Sequence, residues 1–291
     1  MRTTVPLENG LIIGGDGFVV MAGPCAVETR DLLLQTAQAV KAAGATVLRG
    51  GAFKPRTSPR SFQGLGRAGL ELLGEASRLT GLPVVTEVLD PRDVEIVAEH
   101  AAILQVGSRN MQNFPLLREV GRQRRPVLLK RGAAATLDEL LLAADYILQE
   151  GNPHVMLCER GVRGFDPTTR YVLDLAAVPA LRARTPLPIV VDPSHGTGDA
   201  SLVAPMAKAA LAAGADALLI EVHPAPEQAL CDGKQALRPA LFADLLAELR
   251  RLVPLCGRRW LAPTGSPAGA AAPRGPKGRQ TGSFDDEVIA P

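Results

Sequence analysis

Residues 189–222 read IVVDPSHGTGDASLVAPMAKAALAAGADALLIEV. The stretch opens on a short β-branched run, Ile189–Asp192, and closes on another, Ala217–Val222. Between them Leu202–Ala213 has a helical pattern. Ala213-Gly214-Ala215 ends that helix just before the second strand, and glycine tolerates the left-handed backbone that a helix C-terminus often needs. Both strands are continuous apolar runs rather than strict alternations. That is the pattern of a parallel strand covered on both faces.

Outward from this βαβ unit the same alternation covers most of the chain. Further strands are expected at Gly17–Ala22, Thr46–Arg49, Val84–Val88, Ile103–Gly107, Val127–Lys130 and Val155–Glu159. Helical patterns lie near Leu32–Ala43, Ala68–Thr80, Arg92–His100, Pro115–Arg122, Leu137–Glu150, Leu175–Arg182 and Pro239–Leu252. Ala43-Gly44-Ala45 repeats the glycine stop, and Pro83, Pro126 and Pro188 stand at or just before strand starts, where a missing N–H costs least. Eight strand–helix units in about 240 residues fit one closed α/β barrel, a (β/α)8 TIM barrel, better than an open doubly wound sheet. The barrel is expected over 17–261, with residues 1–16 as an N-terminal arm, a lid or hairpin at the barrel bottom. Residues 262–291 are rich in Pro, Gly, Ala, Ser and Thr and are expected to form a disordered tail, because they bury too little apolar surface to offset ordering.

The composition narrows the class. At 291 residues and 46% hydrophobic the chain builds a large core, and 3% aromatics make that core aliphatic. A formal net charge of +2 gives no general attraction to nucleic acid or a membrane surface, so neither is an expected partner. Met1–Gly10 lack the basic-then-apolar layout of a signal peptide, and no apolar run approaches the roughly 20 residues that span a bilayer. Cys25, Cys158, Cys231 and Cys256 form no C-x-x-C pair, so reduced thiols in a cytoplasmic protein are expected.

In such a barrel chemistry sits at the C-terminal ends of the strands. Nearly every expected strand ends there in a polar residue. In chain order these are Cys25 after the first strand, Arg49 followed by Lys54, Arg56, Thr57 and Ser58, then Glu87, Arg109, Lys130, Arg160, His195 and Glu221. The opposite ends start in Pro, Gly, Ala or Thr. Arg49, Lys54, Arg56, Arg109, Lys130 and Arg160 on one rim repel one another unless anions compensate, which points to strongly anionic substrates. There is no Walker-type loop and no helix-opening G-x-G-x-x-G, which argues against a nucleotide. Cys25, His195 and Glu221 end strands that a closed barrel makes neighbours, and Asp232 follows in the last loop. This mixed soft-and-hard set suits one divalent Mn, Fe, Co or Zn ion better than Mg.

Several runs resemble one family closely: Gly23–Glu28, the stretch LRGGAFKPRTSPRSFQG from Leu48 to Gly64, Gly107–Asn113, Leu129–Gly132, Leu157–Gly161, Val191–His195 and Glu221–Pro224. They are similar to 3-deoxy-D-arabino-heptulosonate 7-phosphate (DAHP) synthase, type I-beta, over about residues 10–255. The resemblance implies a metal-dependent, aldol-type condensation of phosphoenolpyruvate with erythrose 4-phosphate and water, releasing phosphate, at the head of the shikimate pathway of aromatic amino-acid biosynthesis. It implies metal ligands at Cys25, His195, Glu221 and Asp232, and phosphoenolpyruvate contacts at Arg49, Lys54, Glu87, Arg109, Lys130 and Arg160. It places the aldose phosphate on Lys54-Pro55-Arg56-Thr57-Ser58. Cys25, Lys54 and His195 are the expected catalytic residues, and a homo-oligomer, dimer or tetramer, is expected. Only about 17 residues precede the first strand, fewer than a regulatory domain needs, so the chain alone is expected to lack feedback inhibition by phenylalanine or tyrosine.

Two other activities fit a similar barrel. 3-Deoxy-manno-octulosonate 8-phosphate synthase typically carries an Ala-Asn-Arg-Ser type of segment where this chain has Lys54–Ser58. A Schiff-base aldolase would use Lys54 or Lys130 as an imine former and would ignore EDTA. A non-enzymatic scaffold would show a broken ligand set, and all four positions are intact.

Overall fold

The computed structural model of the chain describes residues 2–263. Most of the expected tail, 264–291, therefore lies outside the described residues.

The chain starts with an antiparallel hairpin, β1 (Thr4–Pro6) and β2 (Ile12–Gly14). Eight parallel strands follow: β3 (Gly17–Gly23), β4 (Val47–Arg49), β5 (Val84–Val88), β6 (Ile103–Val106), β7 (Val127–Lys130), β8 (Val155–Glu159), β9 (Ile189–Val191) and β10 (Ala217–Glu221). Each pairs with the next, and β10 pairs back onto β3 with Ala217 opposite Val19 and Glu221 opposite Gly23. The sheet is thus closed, as the sequence pattern predicts. Helices α1 (Arg30–Ala43), α2 (Arg67–Thr80), α3 (Val94–His100), α4 (Phe114–Gly121), α5 (Leu137–Gln149), α6 (Ala177–Arg182), α7 (Pro193–Thr197), α8 (Ala200–Ala212) and α9 (Pro239–Leu255) follow their strands. A two-residue strand, β11 (Arg259–Trp260), adds beside the start of β3.

The expected glycine stops are present. Gly44 caps α1 at φ 109°, and Gly214 after α8 has φ +99°. Elsewhere side chains cap: Thr136 and Glu139 form a reciprocal capping box at the start of α5. The short helix α7 is not among the expected elements. Its start is nevertheless written in Asp192-Pro193, a side-chain cap followed by proline at the first helical position.

Why the strands read as unbroken apolar runs is visible in the packing. Successive strand residues face opposite sides of the sheet. One set, including Phe18, Val20, Leu48, Leu104, Leu129 and Val191, packs outward against the helices. The alternate set, including Val19, Met21, Val47, Val85, Ile103, Leu128, Met156, Val190 and Leu219, fills the barrel interior. Val5, Leu7, Leu11 and Ile13 of the N-terminal arm join that inner cluster. The hairpin therefore plugs the N-terminal end of the barrel with apolar side chains, and the opposite mouth is left for chemistry.

Candidate active site

Continuing the inward-facing set by one more step toward the C-terminal end changes its character completely. The next inward positions on β3 to β10 are Gly23, Arg49, Glu87, Gln105, Lys130, Arg160, Asp192 and Glu221. Seven of the eight are polar, and these seven are buried. Five of them, Arg49, Glu87, Gln105, Lys130 and Arg160, floor a cavity of about 520 Å³. Its walls come from the loops: Lys54, Arg56, Thr57 and Ser58 beyond β4, Arg109 beyond β6, and Arg163, Arg170 and Tyr171 beyond β8. Every cationic rim residue expected from sequence lines this one cavity.

The floor and the mouth differ. Arg49, Lys54, Lys130 and Arg160 are buried, whereas Thr57, Ser58 and Arg109 are exposed at the opening. Arg109 donates to the Pro55 carbonyl at 3.4 Å, which ties the β6 loop to the Lys54–Ser58 segment. Arg160 lies face-on to the Tyr171 ring, 4.1 Å from its centroid, and its buried Nη1 has no hydrogen-bond partner among the described residues. A buried guanidinium N–H left open in a cavity is an anion-binding group awaiting its acceptor.

Beside this cationic floor, Cys25, His195, Glu221 and Asp232 converge. One candidate ligand atom from each lies within 4.8 Å of all the others. His195 Nε2 is 3.3 Å from Glu221 Oε1 and 3.8 Å from Asp232 Oδ2, and Cys25 Sγ is 3.5 Å from Asp232 Oδ2. Asp192 caps α7 by accepting from the His195 backbone N–H at 2.9 Å, and its other oxygen meets His195 Nδ1 at 2.8 Å and Lys130 Nζ at 2.6 Å. The ring is thereby turned so that Nε2 faces the cluster. Burial pushes the His195 pKa down, so the ring is held in its neutral form, the form that ligates. Burial would raise the Asp232 carboxyl, but His195, protonated at the acid pH where this carboxyl titrates, together with Arg170 and Lys54 brings it down to about 2. Burial likewise opposes ionisation of Glu221, which His195, when acid protonates it, and Arg49 overcome. A thiol, a neutral imidazole and two ionised carboxylates fit a first-row transition ion.

Several groups of the site escape a reading by strand ends alone. Gln105 lies on an inward strand position and is found by the period-two rule, whereas Asp192 already ends the expected strand Ile189–Asp192. Cys231, next to Asp232, has its sulfur 3.3 Å from that of Cys25, and Arg56 also reaches it. The hydrogen shared with Cys231 is the largest cause raising the Cys25 pKa. Arg163, Arg170 and Tyr171 sit on the loop between β8 and α6, where no periodicity marks them. Glu159, which ends β8 in sequence, faces away from the cavity and pairs with Arg131 at 2.9 Å.

A cationic cavity joined to a Cys–His–Glu–Asp cluster at the mouth of a (β/α)8 barrel defines an enzyme for strongly anionic small molecules. Residues 2–254 match the model of the DAHP synthetase I family. The phospho-2-dehydro-3-deoxyheptonate aldolase of Thermotoga maritima is 52% identical over 245 residues, covering 84% of this chain and 72% of that protein. A crystal structure of DAHP synthase from Thermotoga maritima superposes with a TM-score of 0.87 at 50% identity, over 89% of this chain and 76% of that one. A truncated form of the Thermotoga maritima synthase gives 0.84 at 47% identity, over 89% and 95%. The 2-dehydro-3-deoxyphosphooctonate aldolase of Acidithiobacillus ferrooxidans is more distant, 33% identical over 254 residues, 81% of this chain and 89% of that protein. The chain belongs to the DAHP synthetase I family. Its activity is that of a DAHP synthase, an aldol-type enzyme that forms a carbon–carbon bond, and the octulosonate reaction is the distant alternative.

Proposed function

We propose that the cavity binds phosphoenolpyruvate on its buried floor and erythrose 4-phosphate toward its mouth, beside one divalent ion held by Cys25, His195, Glu221 and Asp232. The observation that carries this reading is the junction itself: the ligand cluster opens directly onto the buried cations, through the Glu221–Arg49 ion pair at 2.5 Å and the Lys130–Asp192–His195 chain. Arg160 and Arg109 take the phosphate of phosphoenolpyruvate. Arg49, Lys54 and Lys130 offset its carboxylate, with Glu87 orienting among them. Arg56, Thr57 and Ser58, at the opening, take the phosphate of erythrose 4-phosphate.

When bound, the ion supplies Lewis-acid polarisation of the aldehyde. The residues do the rest. The cations align C3 of phosphoenolpyruvate with the aldehyde carbon, and a new carbon–carbon bond forms as the aldehyde oxygen takes up negative charge. Water adds at C2, and phosphate leaves with its bridging oxygen by C–O cleavage. Fixed charges in a cavity that excludes bulk water stabilise these changes without reorganising. Lys54 donates to the Cys25 carbonyl at 3.1 Å, at the border between the cluster and the cavity. Burial would lower its pKa, but Cys25 and Glu87 raise it above the usual lysine value. It is thus held protonated at that border, one of three groups, with Cys25 and a water, that could give a proton to the new alkoxide. A protonated Lys54, and a Lys130 held at 2.6 Å by Asp192, are poor amine nucleophiles, which weighs against imine chemistry.

The test is phosphate release from phosphoenolpyruvate with erythrose 4-phosphate against arabinose 5-phosphate, with and without EDTA. Fast release with erythrose 4-phosphate alone, abolished by EDTA, supports the reading. Turnover that ignores EDTA, or that prefers arabinose 5-phosphate, rejects it. The homo-oligomer, dimer or tetramer, that the family implies is read by light scattering on the same sample. Among the described residues no helix is long and apolar enough to cross a membrane.

A further inference from the structure

The loop joining β8 to α6 touches the ligand cluster through a residue the reaction scheme leaves unused. Each carboxylate of the cluster turns one oxygen inward: Glu221 Oε1 and Asp232 Oδ2 are the atoms that face His195 Nε2. The opposite oxygen of each is held from behind. Gln235 Nε2 donates to Glu221 Oε2 at 2.7 Å, and Arg170 Nη1 lies 3.4 Å from Asp232 Oδ1. The same Arg170 nitrogen donates to Gln235 Oε1 at 2.9 Å. That contact fixes which end of the buried amide faces Glu221, because guanidinium only donates and must meet the amide oxygen.

The backbone of the same segment reaches a third ligand. Arg170 N–H donates to the Thr197 carbonyl at 2.9 Å, and Tyr171 N–H to the Gly196 carbonyl at 3.1 Å, both on the helix that carries His195. Gly198, at φ +72°, permits this approach: a Cβ there would stand 2.5 Å from that of Arg170. Asp232 is the only non-glycine residue at positive φ among the described residues, at 52°. Such a conformation persists only where surrounding contacts over-determine it. On its other side the Arg170 guanidinium lies 5.8 Å from the Tyr171 ring, whose ring also carries Arg160.

We infer that Arg170 is a positioning residue for the metal site: through Gln235 and directly on Asp232 it orients both carboxylates and so sets the affinity for the ion. This rests on the metal reading proposed above. It predicts that orienting partners outside the ligand set matter about as much as such partners do elsewhere, about 10- to 100-fold in affinity.

The experiment titrates metal-free protein with Co(II), reading thiolate-to-cobalt absorption and chelator competition, for wild type, Arg170→Ala, Arg170→Lys, Gln235→Ala and Cys25→Ala. Arg170→Ala and Gln235→Ala are expected to bind cobalt about 10- to 100-fold more weakly, with Arg170→Lys intermediate. The Arg170→Ala/Gln235→Ala double variant should lose less than the product of the singles, because the two side chains act in series on Glu221. The melting temperature of each metal-free protein is followed alongside. If Arg170→Ala unfolds early, Arg170→Lys and Gln235→Ala decide the question. Arg170 and Gln235 variants that bind cobalt within twofold of wild type, while Cys25→Ala loses the band, overturn the positioning role and leave the metal site standing. A Cys25→Ala protein that binds cobalt like wild type removes the metal reading itself.

Discussion

Replacing Asp192 by asparagine tests the junction between the two halves of the site. Asp192 is fully buried and makes three contacts, to the His195 backbone N–H, to His195 Nδ1 and to Lys130 Nζ. In Asp192→Asn the orientation of the amide is forced. Its oxygen must stay on the His195 backbone N–H, because an NH2 there would meet another donor. The NH2 then faces both Lys130, which only donates, and His195 Nδ1. The ring can accept that hydrogen only by moving its own proton to Nε2, the atom that faces Glu221 and Asp232. The variant would therefore present the wrong tautomer to an ion held as proposed by His195, Glu221 and Asp232. Loss of an orienting carboxylate of this kind weakens metal binding by about 10- to 100-fold, or about 1.4–2.7 kcal/mol. Separately, the Lys130 ammonium loses its counter-ion, and breaking a buried pair from one side costs about 3–5 kcal/mol. Against a total stability of about 5–15 kcal/mol that is a large fraction. Expected results are a higher cobalt dissociation constant by chelator competition, a lower melting temperature for metal-free protein, and activity partly recovered by excess metal. A variant that binds cobalt within twofold of wild type would refute the tautomer argument, whatever its melting temperature.

Arg160→Ala removes a buried guanidinium whose Nη1 has no hydrogen-bond partner among the described residues. A charge-assisted bond to phosphate lost there, at about 1.5–3 kcal/mol, should lower kcat/KM for phosphoenolpyruvate about 10- to 150-fold. KM for erythrose 4-phosphate should hardly move, and equal losses for both substrates would contradict the division into floor and mouth. Arg56→Ala should do the converse, raising KM for erythrose 4-phosphate about tenfold with little change for phosphoenolpyruvate. Steady-state kinetics with each substrate varied decides both. Acid should destabilise the metal-free protein in a defined window. Asp192, Glu221 and Asp232 have folded pKa values below their ordinary ones, so their contribution is complete above the unfolded carboxyl values of about 4 and is lost as pH falls through the folded values, about 2 for Asp232. His195, also lowered, adds stability above its unfolded value of about 6.5 that fades as pH drops toward its folded value. Melting temperatures across this range should fall toward acid in both regions, and a flat profile down to about pH 3 would count against it.

How much of this was legible in advance depends on which periodicity carries it. The barrel was readable because each strand is buried on both faces, so its apolar run is short, unbroken and bounded by Gly or Pro. The floor of the site was partly readable from strand ends, yet an end residue alone is ambiguous. Glu159 and Arg160 stand side by side at the end of β8, but one faces the helices and the other the cavity. Counting in twos from the inner apolar set separates them, and it also recovers Gln105, which a search for charge alone passes over. Gly23 breaks the polar series for a steric reason: a Cβ there would stand 2.1 Å from the Arg49 carbonyl, so β3 has no room for a side chain beside β4.

The loop residues follow no such count. Asp232 sits at the centre of the cluster because its backbone adopts a left-handed turn, and no local propensity of an Ala-Leu-Cys-Asp-Gly run dictates that. The family resemblance and its place after the last strand are what point to it. Arg170 and Tyr171 lie still further from any rule, since a stretch of Gly, Asp, Pro and Thr separates them from β8. What holds them is tertiary: the backbone bonds to Thr197 and Gly196, and the packing against Gly198. The division is physical. Strands place the buried floor of the cavity, because a closed barrel leaves one inward parity at one end. Loops place the mouth and, at Arg170, a contact from behind the cluster, because these depend on contacts between units that are far apart in the chain.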